Sequence, residues 1–211
     1  DGVIDVKTCP ITIHNSDTYL LTTNITGGII RTSQGFSGNR NDFQPTAGIF
    51  EFYGSSDSLI SQSNGCTLYD VVINKSATDG GENSTSEPVY DERSGELLFD
   101  GGKSNTITLG SDFTITRNLT IEAGTFSLGS YTCDVNGTTN IYGMLKMVDI
   151  TNDLTSGAIN WQSGSEDNVT AGTFHADDWR FNEGTNAKLG TGNTAYIYNL
   201  YYPTDDDAEF G

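Results

Sequence analysis

Apolar and polar residues alternate along this chain in short runs, and Gly, Asn, Asp or Ser closes each run. Between 118 and 189 the runs fall into stretches of 14, 19, 19 and 20 residues: NLTIEAGTFSLGSY, TCDVNGTTNIYGMLKMVDI, TNDLTSGAINWQSGSEDNV and TAGTFHADDWRFNEGTNAKL. In the second stretch Cys133 and Val135, then Ile141, then Leu145 and Met147 hold period-2 positions, so three short strands can each turn one face inward. The glycines and asparagines between them permit positive φ at the corners. A coil of about 20 residues with three strands is the repeat of a parallel β-helix. The pattern predicts an all-β fold, a right-handed parallel β-helix (solenoid) of roughly eight to ten coils. Val135, Ile141, Leu145 and Leu154 are expected inside it.

The first 75 residues follow the same grammar in ITIHN, YLLTTNITGGIIRT, AGIFEFYG and TLYDVVINKS. The run TDGGENSTSEPVYDERSGELLFDGGKS interrupts it. This run is polar, acidic and Gly-rich at both ends, with one strand-like core of Glu96, Leu97, Leu98 and Phe99, and loops of such length are functional or disordered. The chain therefore divides into solenoid coils over 1–77, an irregular lateral insertion over 78–104, and further coils over 105–211. A longer periodicity sets residues 24–30 (NITGGII) against 168–174 (NVTAGTF), an offset of 144, with AGIFEFYG against GNTAYIYN and 66–70 against 208–211. On that reading the chain stops partway through a second copy, as a segment of a longer array or a subunit completed by a neighbour.

Composition narrows the possible functions. Hydrophobic residues make up 35%, and Thr, Asn, Ser and Gly dominate the rest, which suits strands and turns; no amphipathic helix of three turns can be drawn. A net charge of -18 repels nucleic acid and anionic membranes and leaves carboxylates for a hard cation such as calcium. The apolar runs fall far short of the roughly 20 residues that span a bilayer. The chain starts at Asp1 without a basic, apolar leader, as a mature product or an excerpt would. Cys9, Cys66 and Cys133 form an odd set without a CxxC pair, so they read as small buried hydrophobes rather than as a zinc site or a disulfide framework.

Candidate chemistry is sparse, and no catalytic or cofactor-binding residue is assigned. His14 and His175 lack HExxH or HxH spacing, and there is no GxSxG elbow. The best carboxylate pair is Asp177 and Asp178 in HADDWRF, with Trp179 as a sugar platform and Arg180 as a counter-charge. Those four would serve a carbohydrate-binding β-helix, or a polysaccharide lyase or glycoside hydrolase. With no matching histidine signature and only ten Lys and Arg, the enzyme remains the alternative reading. The calcium candidates are Asp205, Asp206, Asp207, Glu166 and Asp167, beside a third cluster of Asp91, Glu92 and Glu96; none has EF-hand or GGxGxD spacing. Asn-x-Ser/Thr sequons recur at Asn24, Asn74, Asn83, Asn118, Asn136 and Asn168, as an Asn- and Thr-rich chain gives by chance.

TLYDVVINKS, NTITLGSDFTITRNLTIEAGTFSLGSYTCDVNG, INWQSGSEDNVTAGTF, WRFNEGTNAKLGTGNTAYIY and the closing DDDAEFG resemble long secreted surface proteins of Bacteroidota-type bacteria built from degenerate β-solenoid repeats. The 78–104 insertion departs from those proteins, which have a short join there. Coil-forming motifs carry fold better than activity. The resemblance implies an extracellular structural role, as a segment of a surface fibre, filament or adhesin, and supplies no functional residue. The closing AYIYNLYYP leaves Tyr196, Tyr198, Tyr201 and Tyr202 as an aromatic surface for head-to-tail self-association. The expected partners are thus further copies or neighbouring repeats, with surface glycans in the alternative reading.

Overall fold

A computed structural model describes residues 2–13, 25–75, 105–185 and 192–202, together with the backbone of two strands inside the insertion. Every regular element among them is a strand. In chain order they are β1 (Val3–Asp5) and β2 (Ile11–Ile13), β3 (Ile29–Thr32) and β4 (Phe36–Asn39), then β5 (Ile49–Tyr53) and β6 (Ser58–Ser63). β7 (Asp70–Asn74) leads into the insertion, which holds β8 (Val89–Tyr90) and β9 (Leu97–Phe99), and β10 (Thr106–Leu109) resumes the coil. β11 (Phe113–Ile115), β12 (Leu119–Ala123) and β13 (Thr125–Ser127) complete the next rung. The longer strands follow: β14 (Thr132–Ile141) with β15 (Met144–Met147), β16 (Asp153–Trp161) with β17 (Glu166–Val169), then β18 (Gly172–Phe181) and β19 (Asn193–Tyr201).

All strands outside the insertion pair in parallel, each with the strands one rung before and after, so the chain is a parallel β-solenoid. Three walls run along its axis. The first comprises β11 and the leading halves of β14, β16, β18 and β19. The second comprises β1, β3, β5, β7, β12 and the trailing halves of the long strands. The third is β2, β4, β6, β10, β13, β15 and β17. Its seven strands define about seven complete turns, fewer than the eight to ten coils expected. Leu119 faces Thr139, Thr139 faces Ile159 and Ile159 faces Trp179, a rung of 20 residues, as the spacing predicts.

Alternation places the core. Cys133, Val135, Ile141, Leu145, Met147 and Leu154 are all buried, each at 1% exposure or less, as expected from their period-2 positions. Burying an aliphatic side chain of this size contributes about 1.5–3 kcal/mol, and stacking rungs repeats the gain along one continuous interior. Larger rings fill the two ends of the core. Phe36, Phe43 and Phe50 pack edge to face or tilted with centroids 6.0–6.4 Å apart. Trp161 lies parallel over Phe181 at 6.2 Å, and Phe181 over Tyr202 at 5.0 Å. The expectation for cysteine holds for Cys66 and Cys133, which are buried, and fails for Cys9, which is exposed in the turn before β2.

Polar groups stack as well. Asn152, 1% exposed, accepts from the backbone N–H of Val148 and Asp149 and donates to the carbonyls of Gly129 and Tyr131 in the preceding rung. Asn160 donates to Asn140 across 2.9 Å on the outer face. Gly124 adopts φ 77° at the corner between the second and third walls, where a Cβ would lie 2.3 Å from the Lys75 carbonyl oxygen. Only glycine fits there.

Two expectations about organisation receive different answers. β7 and β12 pair directly across the insertion, Val71 with Leu119, while β8 and β9 inside it form an antiparallel sheet of their own. Its remaining residues lie outside those described. The 144-residue offset is not a structural repeat. Ile29–Thr32 lies in the second wall, whereas the start of Gly172–Phe181 lies in the first, so the aligned segments play different parts. Residues 208–211 lie outside those described.

Candidate functional site

The long strands bend where the first wall meets the second, and at that corner the inward alternation slips. In β16 Leu154 and Ser156 point in, then Ile159 and Trp161, with Gly157 and Ala158 between them. In β18 the inward set is Phe174 and Ala176, then Trp179, with Asp177 and Asp178 between. A groove of about 720 Å³ lies along the outside of this corner. Two outward columns line it. One is Asp134, Thr155, His175 and Tyr196, which are paired in register on consecutive rungs. The other is Asn136, Gly157, Asp177 and Tyr198, where the missing side chain of Gly157 leaves a notch.

His175 is held in place. Its Nε2 lies 3.4 Å from Asp153 Oδ2, and its ring stacks on Tyr196 with centroids 4.8 Å apart and 11° between planes. Tyr198 stands clear at 86% exposure. The lining thus offers two exposed carboxylates, a carboxamide, hydroxyls, an imidazole and aromatic rings on a rigid sheet.

The four residues of the carbohydrate reading are not brought together. Asp177 faces the groove. Asp178 turns to the second wall, where its Oδ2 accepts from Arg180 at 2.6 Å and its Oδ1 from Asn199 at 2.9 Å. Trp179 is fully buried, with its ring 4.8 Å from Phe174 and 6.2 Å from Trp161, so it is a core residue and not a sugar platform. The slip at Asp177 and Asp178 explains the error, because strict alternation through β18 would have turned Trp179 outward. Of the groove residues, Asp134 and Thr155 were not singled out from sequence, His175 was set aside for want of a metal-binding spacing, and Tyr196 and Tyr198 were assigned to self-association. Their signal was present as outward positions 20 or 21 residues apart, legible only once the rung register is fixed.

Of the calcium candidates, only Glu166 and Asp167 lie among the described residues. Glu166 and Asp167 are neighbours on β17, so they point to opposite faces, Asp167 following Leu145 in the inward column. Asp205, Asp206 and Asp207 lie outside the described residues, as do His14, Asp91, Glu92 and Glu96. Among the described residues no three His, Cys, Asp or Glu side chains gather as a metal would require.

The two ends of the stack are the other notable surfaces. One interior column runs Ile4, Ile30, Phe50, Val71, Leu119, Thr139, Ile159, Trp179, Leu200. Its central members from Phe50 to Trp179 are at most 1% exposed, whereas Ile4 is 62% and Leu200 47% exposed. Among the described residues β1 pairs only with β3, and β19 only with β18. At the first end Tyr53 donates to Asp5 Oδ1 at 2.8 Å and Arg31 to its Oδ2 at 3.0 Å; the Tyr53 bond is the main cause holding that carboxyl below its usual range. At the other end the four tyrosines do not form one surface. Tyr196, Tyr198 and Tyr201 face outward, Tyr201 beneath the Arg180 guanidinium at 4.7 Å, while Tyr202 stacks in line with Phe181.

No helix among the described residues is long and apolar enough to cross a membrane. None of the protein families, curated proteins or solved structures compared with the chain matches it.

Proposed function

We propose that this chain is a structural segment of an extracellular fibre, surface layer or adhesin, in which solenoid segments stack end to end. The observation that carries the reading is the interior column from Ile4 to Leu200, dry along its length and wet at both ends. An apolar column of this kind is completed by another rung on each side. A second copy, or the next stretch of a longer polypeptide, supplies that rung by adding a parallel strand to β19 and another to β1. Because one end meets a different end, the contact is heterologous and does not close, which gives a filament rather than a ring of fixed size. The charge of -18 supports the same reading, since acidic flanks keep neighbouring filaments apart. The resemblance to secreted solenoid surface proteins supports the location. Sedimentation across a concentration series tests the proposal: growing linear oligomers are expected, and a monomer at every concentration contradicts it.

A further inference from the structure

Rungs repeat about every 4.8 Å along a parallel sheet, so the four rungs of the corner groove present side chains over about 14 Å. The polar groups recur at each step. Asp134 and Asn136 stand on one rung, Thr155 on the next beside the Gly157 notch, His175 and Asp177 on the third, and the tyrosines on the last. Each rung brings at least one donor or acceptor to the groove, and Val135, Ala176, Ala195 and Ile197 add apolar lining between them, the mixture that the hydroxyl and C–H faces of a sugar ring match. That is the surface of a site for a polyhydroxylated chain whose own repeat is near the rung spacing, and not for a peptide, which anchors through side-chain pockets or by pairing with a strand edge.

Charge selects among such chains. The two exposed carboxylates and the surrounding net charge of -18 repel sulfated or uronic acid polymers. Carboxylates accept readily from vicinal hydroxyls. At the end of the groove Tyr198, 86% exposed, presents a flat apolar ring to the C–H face of a sugar. Asp153 and Tyr196 hold His175 from two sides, so little ordering cost remains to be met on binding.

We infer that the corner groove binds a neutral, linear oligosaccharide of about three sugar units lying along the solenoid axis, with Asp134 and Asp177 accepting from its hydroxyls and Tyr198 stacking on its terminal ring. The groove opens on the flank, but its last rung is β19, the strand to which a following segment would be added, so binding is measured on the chain at a concentration where it is monomeric.

Calorimetric titration with cello-, xylo-, manno- and N-acetylchito-oligosaccharides, from disaccharide to hexasaccharide, tests this. For at least one series affinity rises with length, levels off near the trimer or tetramer, and is unchanged by added salt. Tyr198→Ala and Asp177→Asn each weaken binding about tenfold or more, while Tyr201→Ala, on the second wall, binds like the parent. Both groove positions are exposed, so all three variants melt with the parent, which separates lost binding from lost fold. The inference is overturned if no neutral series binds, if Tyr198→Ala keeps the parent affinity, or if the groove takes acidic sugars or, in a strongly salt-dependent way, a basic peptide.

Discussion

The Lys75 ammonium donates to the Ser56 carbonyl oxygen at 2.9 Å, and also to the Ser33 carbonyl oxygen at 2.8 Å. These carbonyls belong to the turns after β5 and β3, and Lys75 follows β7, so one fully buried cation ties three successive turns together. Truncation removes the packed stem and leaves the carbonyls short of a donor. Lys75→Ala should lower stability by about 3 kcal/mol, read by chemical denaturation. Lys75→Met, which keeps the stem, should lose less.

The same group sets a pH dependence with a definite sign. Burial lowers the Lys75 pKa from 10.5 to about 8, partly countered by Asp57. The unfolded chain therefore holds this proton up to higher pH than the folded one does, and folding releases it between about pH 8 and 10.5. In that window the parent should gain about 3 kcal/mol relative to Lys75→Met as pH rises. A parent that instead loses ground to the variant contradicts the buried position.

Neighbouring residues on one strand should differ sharply. Val135 is fully buried and Asp134 is exposed on the groove side. Val135→Asp puts an unpaired carboxylate into a dry stack and should cost several kcal/mol, about 4 or more. Asp134→Ala should stay within about 0.5 kcal/mol of the parent. Equal melting of the two variants would mean that the register is wrong.

Limited proteolysis should cut first between 78 and 104. Val71 pairs with Leu119 across the insertion, so the rungs on either side support each other without it. The nicked protein should keep the parent melting temperature and run as two fragments only after denaturation. An earlier cut within 118–189 would count against the lateral placement.

Thiol chemistry distinguishes the three cysteines. Burial pushes the Cys66 thiol up to about 11 and Cys133 higher still, while Cys9 is exposed. A polar thiol reagent near pH 8 should label Cys9 alone in the native state and all three in denaturant. Native labelling of Cys133 would mean that the core opens.

What could be read in advance was whatever depends on local alternation. Val135, Ile141, Leu145 and Leu154 are inside because a strand's side-chain period is fixed, and the rung length follows from where glycine and asparagine allow the chain to turn. Trp179 was misread because two consecutive residues face outward at a corner, which reverses the parity after them. The long offset misled because strands of all three walls share one vocabulary, so Ile29–Thr32 can resemble the start of Gly172–Phe181 without lying above it. The groove was invisible for a further reason. Its residues are neighbours only through stacking, as His175 and Tyr196 are, and no short motif contains them.

The central claim is that the two ends of the stack complete each other, and mixing two blocked variants tests it most directly. Ile4→Asp spoils the first end and leaves the last intact; Leu200→Asp does the reverse. Each variant alone should sediment as a monomer where the parent forms long oligomers. The equimolar mixture should give a complex of one copy of each and nothing longer, because one good end meets one good end and both outer ends are blocked. A parent that stays monomeric, or variants that polymerise as the parent does, would contradict end-to-end stacking.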